Sequence, residues 1–142
     1  MVAKQLSVFI ENRQGRLGEV LDVLKTNGVN ILSLSLADTT EYGLLRLIVN
    51  DPVLGKEKLA ADGFSTMLTD VIVLKITHKS GSLQGLLKIL SDNDVNVEYM
   101  YGLSIDGEEA SVVLKTSDVE KAEKVFDAQG VKMLSSEDIA QF

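Results

Sequence analysis

Cysteine and tryptophan are absent from the 142-residue sequence, which also has a single proline, Pro52, and a single histidine, His78. Without cysteine the chain forms neither disulfide bonds nor thiolate metal sites, and one histidine does not make a multi-histidine metal centre. We therefore predict no metal and no other cofactor. No apolar run reaches the ~20 residues of a membrane span, and the first residues lack the apolar core and cleavage site of a signal peptide. The sequence thus predicts a soluble cytoplasmic protein that does not bind membranes.

Positive charge is also scarce. Fourteen Lys and Arg residues stand against 21 Asp and Glu residues, which gives a net charge of −7. The deficit is uneven, because residues 1–69 carry a net charge of −1 and residues 70–142 a net charge of −6. Nucleic-acid binding depends on clustered cations, and the sequence has no such cluster. We therefore predict no nucleic-acid partner.

An internal repeat organises the chain. Residues 12–31 read NRQGRLGEVLDVLKTNGVNI, and 66 positions later residues 78–97 read HKSGSLQGLLKILSDNDVNV. The glycine of the loop, the leucines of the following stretch and the asparagines near its end are identical at matching positions: Gly15/Gly81, Leu17/Leu83, Leu21/Leu87, Leu24/Leu90, Asn27/Asn93, Val29/Val95 and Asn30/Asn96. A repeat fixes the unit of the fold. We predict two domains, residues 1–69 and 70–142.

Each copy has the pattern strand, helix, strand, strand, helix, strand. In the first copy, alternating apolar residues predict strands at residues 5–11, 30–36, 43–50 and 64–68. Leucine and valine at helical spacing from Leu17 to Leu24 predict an amphipathic helix. A second helix begins at Pro52, after Asp51 as its N-cap, and ends near Ala61.

The second copy repeats this order. It has predicted strands at residues 71–76, 95–103, 110–115 and 131–134. The pair Asp106-Gly107 is expected to join two of them in a hairpin, and a capping box of Ser117 with Glu120 is expected to begin the last long helix. Residues 135–142 form a short tail with one helical turn. The fold class is therefore α+β, with two ferredoxin-like (βαββαβ) sandwiches in tandem, each an antiparallel sheet with helices on one face.

The sequence has no convincing catalytic motif. Ser80 and Ser82 lie close to His78, as a nucleophile and a base would, but no third residue is at hand to orient the histidine. We interpret these residues as part of a surface loop and predict that the protein is not an enzyme.

The loop before the first helix of each copy is the better candidate site. Backbone amides at a helix N-terminus favour a small anion such as a carboxylate, and the loops add polar side chains. Asn30 and Asn96 open the next strand of each copy and could bind the ammonium and carboxylate of an amino acid. Asparagine is also favoured in tight turns for backbone reasons, so the spacing alone leaves binding and turn formation equally open.

These residues resemble the ACT family of regulatory domains. The resemblance lies in Asn12-Arg13-Gln14-Gly15, followed by a helix and by Asn27-Gly28-Val29-Asn30-Ile31, and it recurs in the second copy. It implies a ferredoxin-like fold that binds a free amino acid between paired copies, with Asn12 and Asn30 as ligand-binding residues. His78 stands at the position of Asn12 in the second copy, and Tyr99 at that of Ser33.

We therefore predict a regulatory protein that binds a free amino acid between its two domains. The candidate ligand-binding residues belong to the two loops and to the two strands that follow the helices: Asn12, Arg13, Gln14, Gly15, Arg16, Leu17, Asn30, Ile31, Leu32, Ser33, His78, Ser80, Gly81, Ser82, Leu83, Asn96, Val97, Glu98 and Tyr99. A homodimer and a metabolic enzyme as partner are expected as well.

Two alternatives stay open at this point. The protein could be an adaptor or a regulatory subunit that contacts a metabolic enzyme and binds no small ligand. A nucleic-acid-binding ferredoxin-like sheet would need exposed aromatic residues and cations. Tyr99 and Tyr101 are the only indication of that function, and they lie in the more acidic half of the chain.

Overall fold

The computed structural model describes residues 2–38 and 41–142 and contains helices and antiparallel strands. It divides into two compact units. The N-terminal unit comprises Lys4–Thr69 and Ile139–Phe142, and the C-terminal unit comprises Asp70–Asp138 with Val2 and Ala3. The elements along the chain are β1 (Ala3–Glu11), α1 (Arg16–Thr26), β2 (Ile31–Asp38), β3 (Tyr42–Val49), α2 (Pro52–Ala61), β4 (Ser65–Thr77), α3 (Ser82–Asp92), β5 (Val97–Asp106), β6 (Glu109–Thr116), α4 (Val119–Ala128), β7 (Met133–Leu134) and α5 (Ser136–Ala140).

The strand pairing is the same in both copies. In the first, β3 lies between β1 and β2 and is antiparallel to both, so that Leu47 is opposite Leu6 on one side and Leu34 on the other. In the second, β6 lies between β4 and β5, and the short strand β7 pairs with β4. The α+β fold with two ferredoxin-like βαββαβ copies is therefore confirmed.

Each unit has its own hydrophobic core, which the apolar faces of its helices cover. Val20 and Leu24 of α1 are fully buried against strand residues of the N-terminal unit, and Leu90 of α3 is fully buried in the C-terminal unit. In the second core, Ala122 and Phe126 of α4 are also completely shielded from solvent. The repeated leucines thus have the packing role that their spacing predicts, because apolar side chains at i, i+3 and i+4 share one helix face.

The break that we predicted between the last strand of the first copy and the first strand of the second was wrong. We predicted separate strands at residues 64–68 and 71–76, but β4 is one strand of 13 residues, Ser65–Thr77. Thr69 and Asp70, which were expected to separate the two strands, contain neither glycine nor proline. Nothing in their backbone chemistry therefore requires a turn, and β-branched threonine favours the extended conformation.

One helix start was predicted correctly and another was not. Asp51 Oδ1 accepts a hydrogen bond from the Leu54 amide at 3.1 Å, as expected for the N-cap of α2. The N-cap of α4 is Asp118, which accepts from the Lys121 amide at 3.0 Å, so the predicted capping box of Ser117 with Glu120 is wrong. Ser117 lies one residue too early to reach the first turn.

The chain ends in the predicted helical turn, α5. Asp138 Oδ2 accepts hydrogen bonds from the Ser135 amide at 2.8 Å and from the Ser135 hydroxyl at 2.9 Å. These bonds stabilise the carboxylate and hold the pKa of Asp138 below its usual value. Between the predicted strands at residues 30–36 and 43–50, Thr39 and Thr40 lie outside the described residues. None of the helices in the described ranges is long and apolar enough to cross a membrane.

Candidate functional site

The loop before each repeat helix ends in a glycine with a left-handed backbone. Gly15 has φ 88° and Gly81 has φ 83°, and each precedes its helix without a side-chain cap. The other long helices begin differently, because Asp51 and Asp118 accept hydrogen bonds from the first turns of α2 and α4. Helices α1 and α3 therefore have no side chain that caps the backbone N–H groups of their first turns, and these groups, with the positive end of the helix dipole, favour a small anion.

The arginines of the first loop are occupied within their own unit. Arg13 Nε lies 2.9 Å from Glu11 Oε2, and Arg16 forms an ion pair with Glu19 in the first turn of α1. The guanidinium carbon of Arg16 lies 4.3 Å from the centre of the Phe64 ring. Its Nε is buried and has no hydrogen-bond partner among the described residues. Both guanidinium groups that we predicted as ligand contacts are thus held by neighbouring side chains.

The second loop has a different charge pattern. His78, Lys79 and Ser80 are exposed, and within the described ranges Lys79 has no carboxylate partner. The carboxylate of Glu109 pairs instead with Lys75, at 3.3 Å. The first turn of α3 contains no acidic residue, whereas that of α1 contains Glu19. The start of α3 is therefore the more favourable of the two for an anion.

Asn30 and Asn96 donate hydrogen bonds through their backbones. The Asn30 amide donates to Asn50 Oδ1 at 2.9 Å, and the Asn96 amide donates to Ser117 Oγ at 3.0 Å. The side chains of Asn30 and Asn96 are exposed. The side chains of Asn50 and Ser117 thus stabilise the two turns. The side-chain carboxamide groups of Asn30 and Asn96 remain available to a ligand.

This arrangement predicts different effects for two asparagines of the N-terminal unit. Asn50 also donates from Nδ2 to the Phe142 carbonyl at 3.2 Å, so Asn50→Ala removes two hydrogen bonds and is expected to cost about 1 kcal/mol of stability. Asn30→Ala removes only an exposed side chain and is expected to change stability by less than about 0.5 kcal/mol. Urea unfolding of both variants measures the difference, and equal losses would mean that the Asn30 side chain serves the turn.

Within one copy, the loop and the asparagine lie far apart. The Asn12 amide donates to the Glu41 carbonyl, just before β3, whereas the Asn30 carbonyl accepts from the Asn50 amide, just after it. The eight residues of β3 span about 25 Å. His78 and Asn96 are separated in the same way by β6, since they contact Glu108 and Ser117. No single copy therefore places its loop and its asparagine around one small ligand, and a ligand bound by both copies stays a prediction.

The remaining strand candidates have mainly structural contacts. Ile31 packs against the first core and Val97 against the second. Glu98 pairs with Lys115 at 3.2 Å. Tyr99 and Ser33 are half-buried just after matching shifts in strand register, while Leu32 lies within the shift of β2.

A cavity of about 520 Å³ opens beside the second loop, entirely within the C-terminal unit. Its interior is mostly apolar, and its polar side chains come from the loop and from Thr77 of β4, Ser104 of β5 and Ser111 of β6. The lining residues are Ile76, Thr77, His78, Lys79, Leu83, Gly102, Leu103, Ser104, Ala110, Ser111 and Val112. Small-molecule sites are usually concave, mostly apolar and about 300–1,000 Å³ in volume, with a few polar groups that orient the ligand. Of the candidate residues, His78 and Leu83 line this cavity.

A local irregularity of β5 borders the cavity. The register between β5 and β6 shifts between Gly102 and Ser104, and Leu103 lies at the shift. The first copy has no such shift at the matching position, where Leu34 to Asp38 pair regularly with β3. Strand bulges often lie next to functional sites because they redirect a side chain. The second copy thus differs from the first in its backbone as well as in its side chains.

The candidate list did not include most of the cavity residues. It omitted Gly102 and Ser104 of β5, Val112 of β6 and Lys79 of the loop. One signal in the sequence could have identified the place, because the 66-residue offset matches Gly102 with Leu36. A large apolar residue replaced by glycine between otherwise similar copies indicates lost volume. The described residues include no group of three His, Asp or Glu side chains that could hold a metal ion.

Comparison with known proteins agrees with this architecture. Protein BT0572 from Bacteroides thetaiotaomicron has a crystal structure with a TM-score of 0.95 and 36% sequence identity, over 100% of this chain and 98% of that one. The regulatory subunits of aspartate kinase from Thermus thermophilus and Thermus flavus share the fold, with TM-scores of 0.64 and 0.59 and identities of 14% and 15%. In both cases the match covers 88% of this chain and 90% of the other.

No curated protein matches the sequence. The family model described as an ACT domain pair matches residues 1–142, which is the whole chain. A pair of domains agrees with the two βαββαβ copies of the structure. The chain therefore belongs to the ACT domain family, as an ACT domain pair.

Proposed function

We propose that this protein is a non-enzymatic regulator that binds a free amino acid at the loop and cavity of its C-terminal unit. The cavity beside the uncapped start of α3 is the observation that carries the proposal. Its apolar interior can hold a side chain, and the adjacent helix start favours a carboxylate. The ACT family is a regulatory domain type, and this supports a binding role over catalysis. In this proposal the two ACT domains are residues 1–69 and 70–142.

The proposed ligand is held at both of its charged groups. Its carboxylate accepts hydrogen bonds from the backbone amides of Leu83 and Gln84, which lie in the first turn of α3 and have no intrahelical acceptor. Lys79 at the mouth adds a positive charge. The hydroxyl groups of Thr77 and Ser104 line the same cavity and can accept hydrogen bonds from the ammonium group.

Regulation follows from a difference in affinity between two states of the protein. A ligand that binds one conformation more tightly shifts the population towards it, and a partner that recognises that conformation responds. The matched structures from the two Thermus species are described as regulatory subunits of an enzyme, aspartate kinase. We propose by analogy that a metabolic enzyme is the partner here and that the protein acts in the cytoplasm as a homodimer.

A thermal-shift screen of the purified chain against the twenty amino acids tests the proposal. At least one amino acid is expected to raise the melting temperature in a dose-dependent way. A ligand at ~100 times its dissociation constant adds about 2.7 kcal/mol to the free energy of unfolding. The screen would refute the proposal if every amino acid left the melting temperature unchanged at millimolar concentration.

Two controls connect a positive result to the site. The carboxamide of the same amino acid lacks the anionic carboxylate and is expected to bind at least tenfold more weakly. Lys79→Ala removes the cation beside the cavity and is expected to weaken binding. Lys88→Ala is its control, because it removes a cation from the exposed face of α3, where Lys88 pairs with Asp92 at 2.8 Å. Equal effects of the two substitutions would place the ligand elsewhere.

A further inference from the structure

We infer that the cavity selects amino acids with aliphatic side chains, that each chain binds one such ligand, and that Gly102 is the residue that determines this specificity. The inference rests on the proposed function, since it assigns the ligand class for the same site. The chemistry of the cavity wall, the size of residue 102 and the contrast between the two copies carry it.

The wall of the cavity favours an uncharged aliphatic group. Ile76, Leu83, Leu103, Ala110 and Val112 contribute apolar surface, and the polar lining residues are His78 and Lys79 of the loop with Thr77, Ser104 and Ser111 of the strands. A charged or strongly polar side chain would lose its hydration there without gaining a partner. An aliphatic side chain gains about fourfold in affinity for each buried CH₂ group, which corresponds to ~0.8 kcal/mol.

Gly102 leaves the space that the ligand needs. A Cβ atom built on Gly102 would have no other atom within 4 Å, so the backbone of β5 faces open space there. Gly102 is opposite Val112 of β6, and both line the cavity. A glycine within a strand commonly marks a place where a ligand or another backbone approaches closely.

The first copy has a leucine where the second has this glycine. Leu36 is opposite Leu45 of β3, as Gly102 is opposite Val112 of β6. The Leu36 side chain reaches β3, because a Cβ atom built on Gly43 would lie 3.2 Å from Leu36 Cδ1. Leu45 is completely buried, whereas Val112 is only half-buried. Leu36 is 46% exposed, so the larger pair, Leu36 and Leu45, reduces but does not close in the first copy the volume that is open in the second.

The charges at the helix starts also favour the second copy as the binding site. The first turn of α1 contains Glu19, which pairs with Arg16, whereas the start of α3 has no acidic residue and has Lys79 nearby. The first copy therefore combines a smaller apolar space with a helix start that already has a carboxylate in its first turn. One binding site per chain follows, located in the C-terminal unit.

Isothermal titration calorimetry with L-leucine, L-alanine and L-serine tests the ligand class and the stoichiometry. We expect one L-leucine per chain, bound about 50-fold more tightly than L-alanine because three additional carbon groups are buried. L-Serine is expected to bind no better than L-alanine. Equal affinities for leucine and alanine, or two leucines per chain, would overturn the inference and leave the proposed function standing. Absence of binding by any amino acid would overturn both.

Substitutions at residue 102 test the location. Gly102→Leu places the residue of the first copy into the cavity and is expected to weaken leucine binding at least 100-fold. Gly18→Leu is the matched control, because a Cβ atom at Gly18 also meets nothing within 4 Å but Gly18 lies on an exposed turn of α1. If Gly102→Leu does not fold, Gly102→Ala and Val112→Leu give smaller reductions of the same cavity, with an expected loss of about tenfold. Unchanged leucine affinity in the folded cavity variants would overturn the inference.

Discussion

Phe126→Ala is expected to destabilise the C-terminal unit by about 3–5 kcal/mol, because Phe126 is fully buried and its removal leaves a cavity in the second core. The side chain lies on α4 among the buried residues of that core, including Leu90 of α3 and Leu114 of β6. A loss of this size is a large part of the 5–15 kcal/mol by which domains are usually stable. Urea unfolding followed by circular dichroism measures it.

Phe142 provides the matched control for this prediction. Its side chain is 62% exposed, and its hydrogen bonds are made by the backbone, whose carbonyl accepts from Asn50 and whose amide donates to the Ile139 carbonyl. Phe142→Ala is therefore expected to change stability by less than about 0.5 kcal/mol. Similar losses for the two variants would mean that burial of Phe126 is not what stabilises the C-terminal unit.

Gly55→Leu is expected to cost the N-terminal unit about 3 kcal/mol through overpacking. Gly55 lies in α2 where that helix meets the first core. A Cβ atom there would lie 3.0 Å from Leu6 Cδ2 and 3.3 Å from Leu24 Cδ2. Both leucines are fully buried, so they have little room to move aside. The helix propensity that leucine gains over glycine, about 1 kcal/mol, does not offset this steric cost.

The same substitution at Gly18 has the opposite expected sign. Gly18 lies in α1 with open space around its Cα, so Gly18→Leu adds helix propensity without a clash and is expected to stabilise the protein by about 0.5–1 kcal/mol. Thermal unfolding of the two variants gives the comparison directly. A stabilising Gly55→Leu would show that α2 is packed more loosely against Leu6 and Leu24 than the distances indicate.

Most of the fold was predictable because it depends on local patterns. The spacing of Leu17, Val20 and Leu24 identified α1, and Asp51-Pro52 identified the start of α2. Repetition reinforced each of these signals. The continuous strand β4 was missed because a polar pair, Thr69-Asp70, was interpreted as a break although it imposes no turn.

The candidate site was predictable only in part, because it depends on distant contacts. The glycine loops and the open helix starts were recognisable from local sequence. The bond from the Asn30 amide to Asn50 joins residues 20 positions apart, and no local pattern indicates it. The cavity depends on the pairing of Gly102 in β5 with Val112 in β6. It also depends on the register shift after Gly102, which the alternation of apolar and polar residues does not show.

The glycine caps of α1 and α3 have a consequence for which residues these two positions can hold. Asp51 and Asp118 cap α2 and α4 from an extended backbone, with φ of −135° and −142°. Gly15 and Gly81 have φ of 88° and 83°, a region that residues with a Cβ atom rarely adopt, so a serine or aspartate there would be strained. The loop geometry therefore excludes a capping side chain in both copies. In the second copy, which adjoins the open cavity, the same geometry leaves the first-turn amides of α3 to the proposed carboxylate.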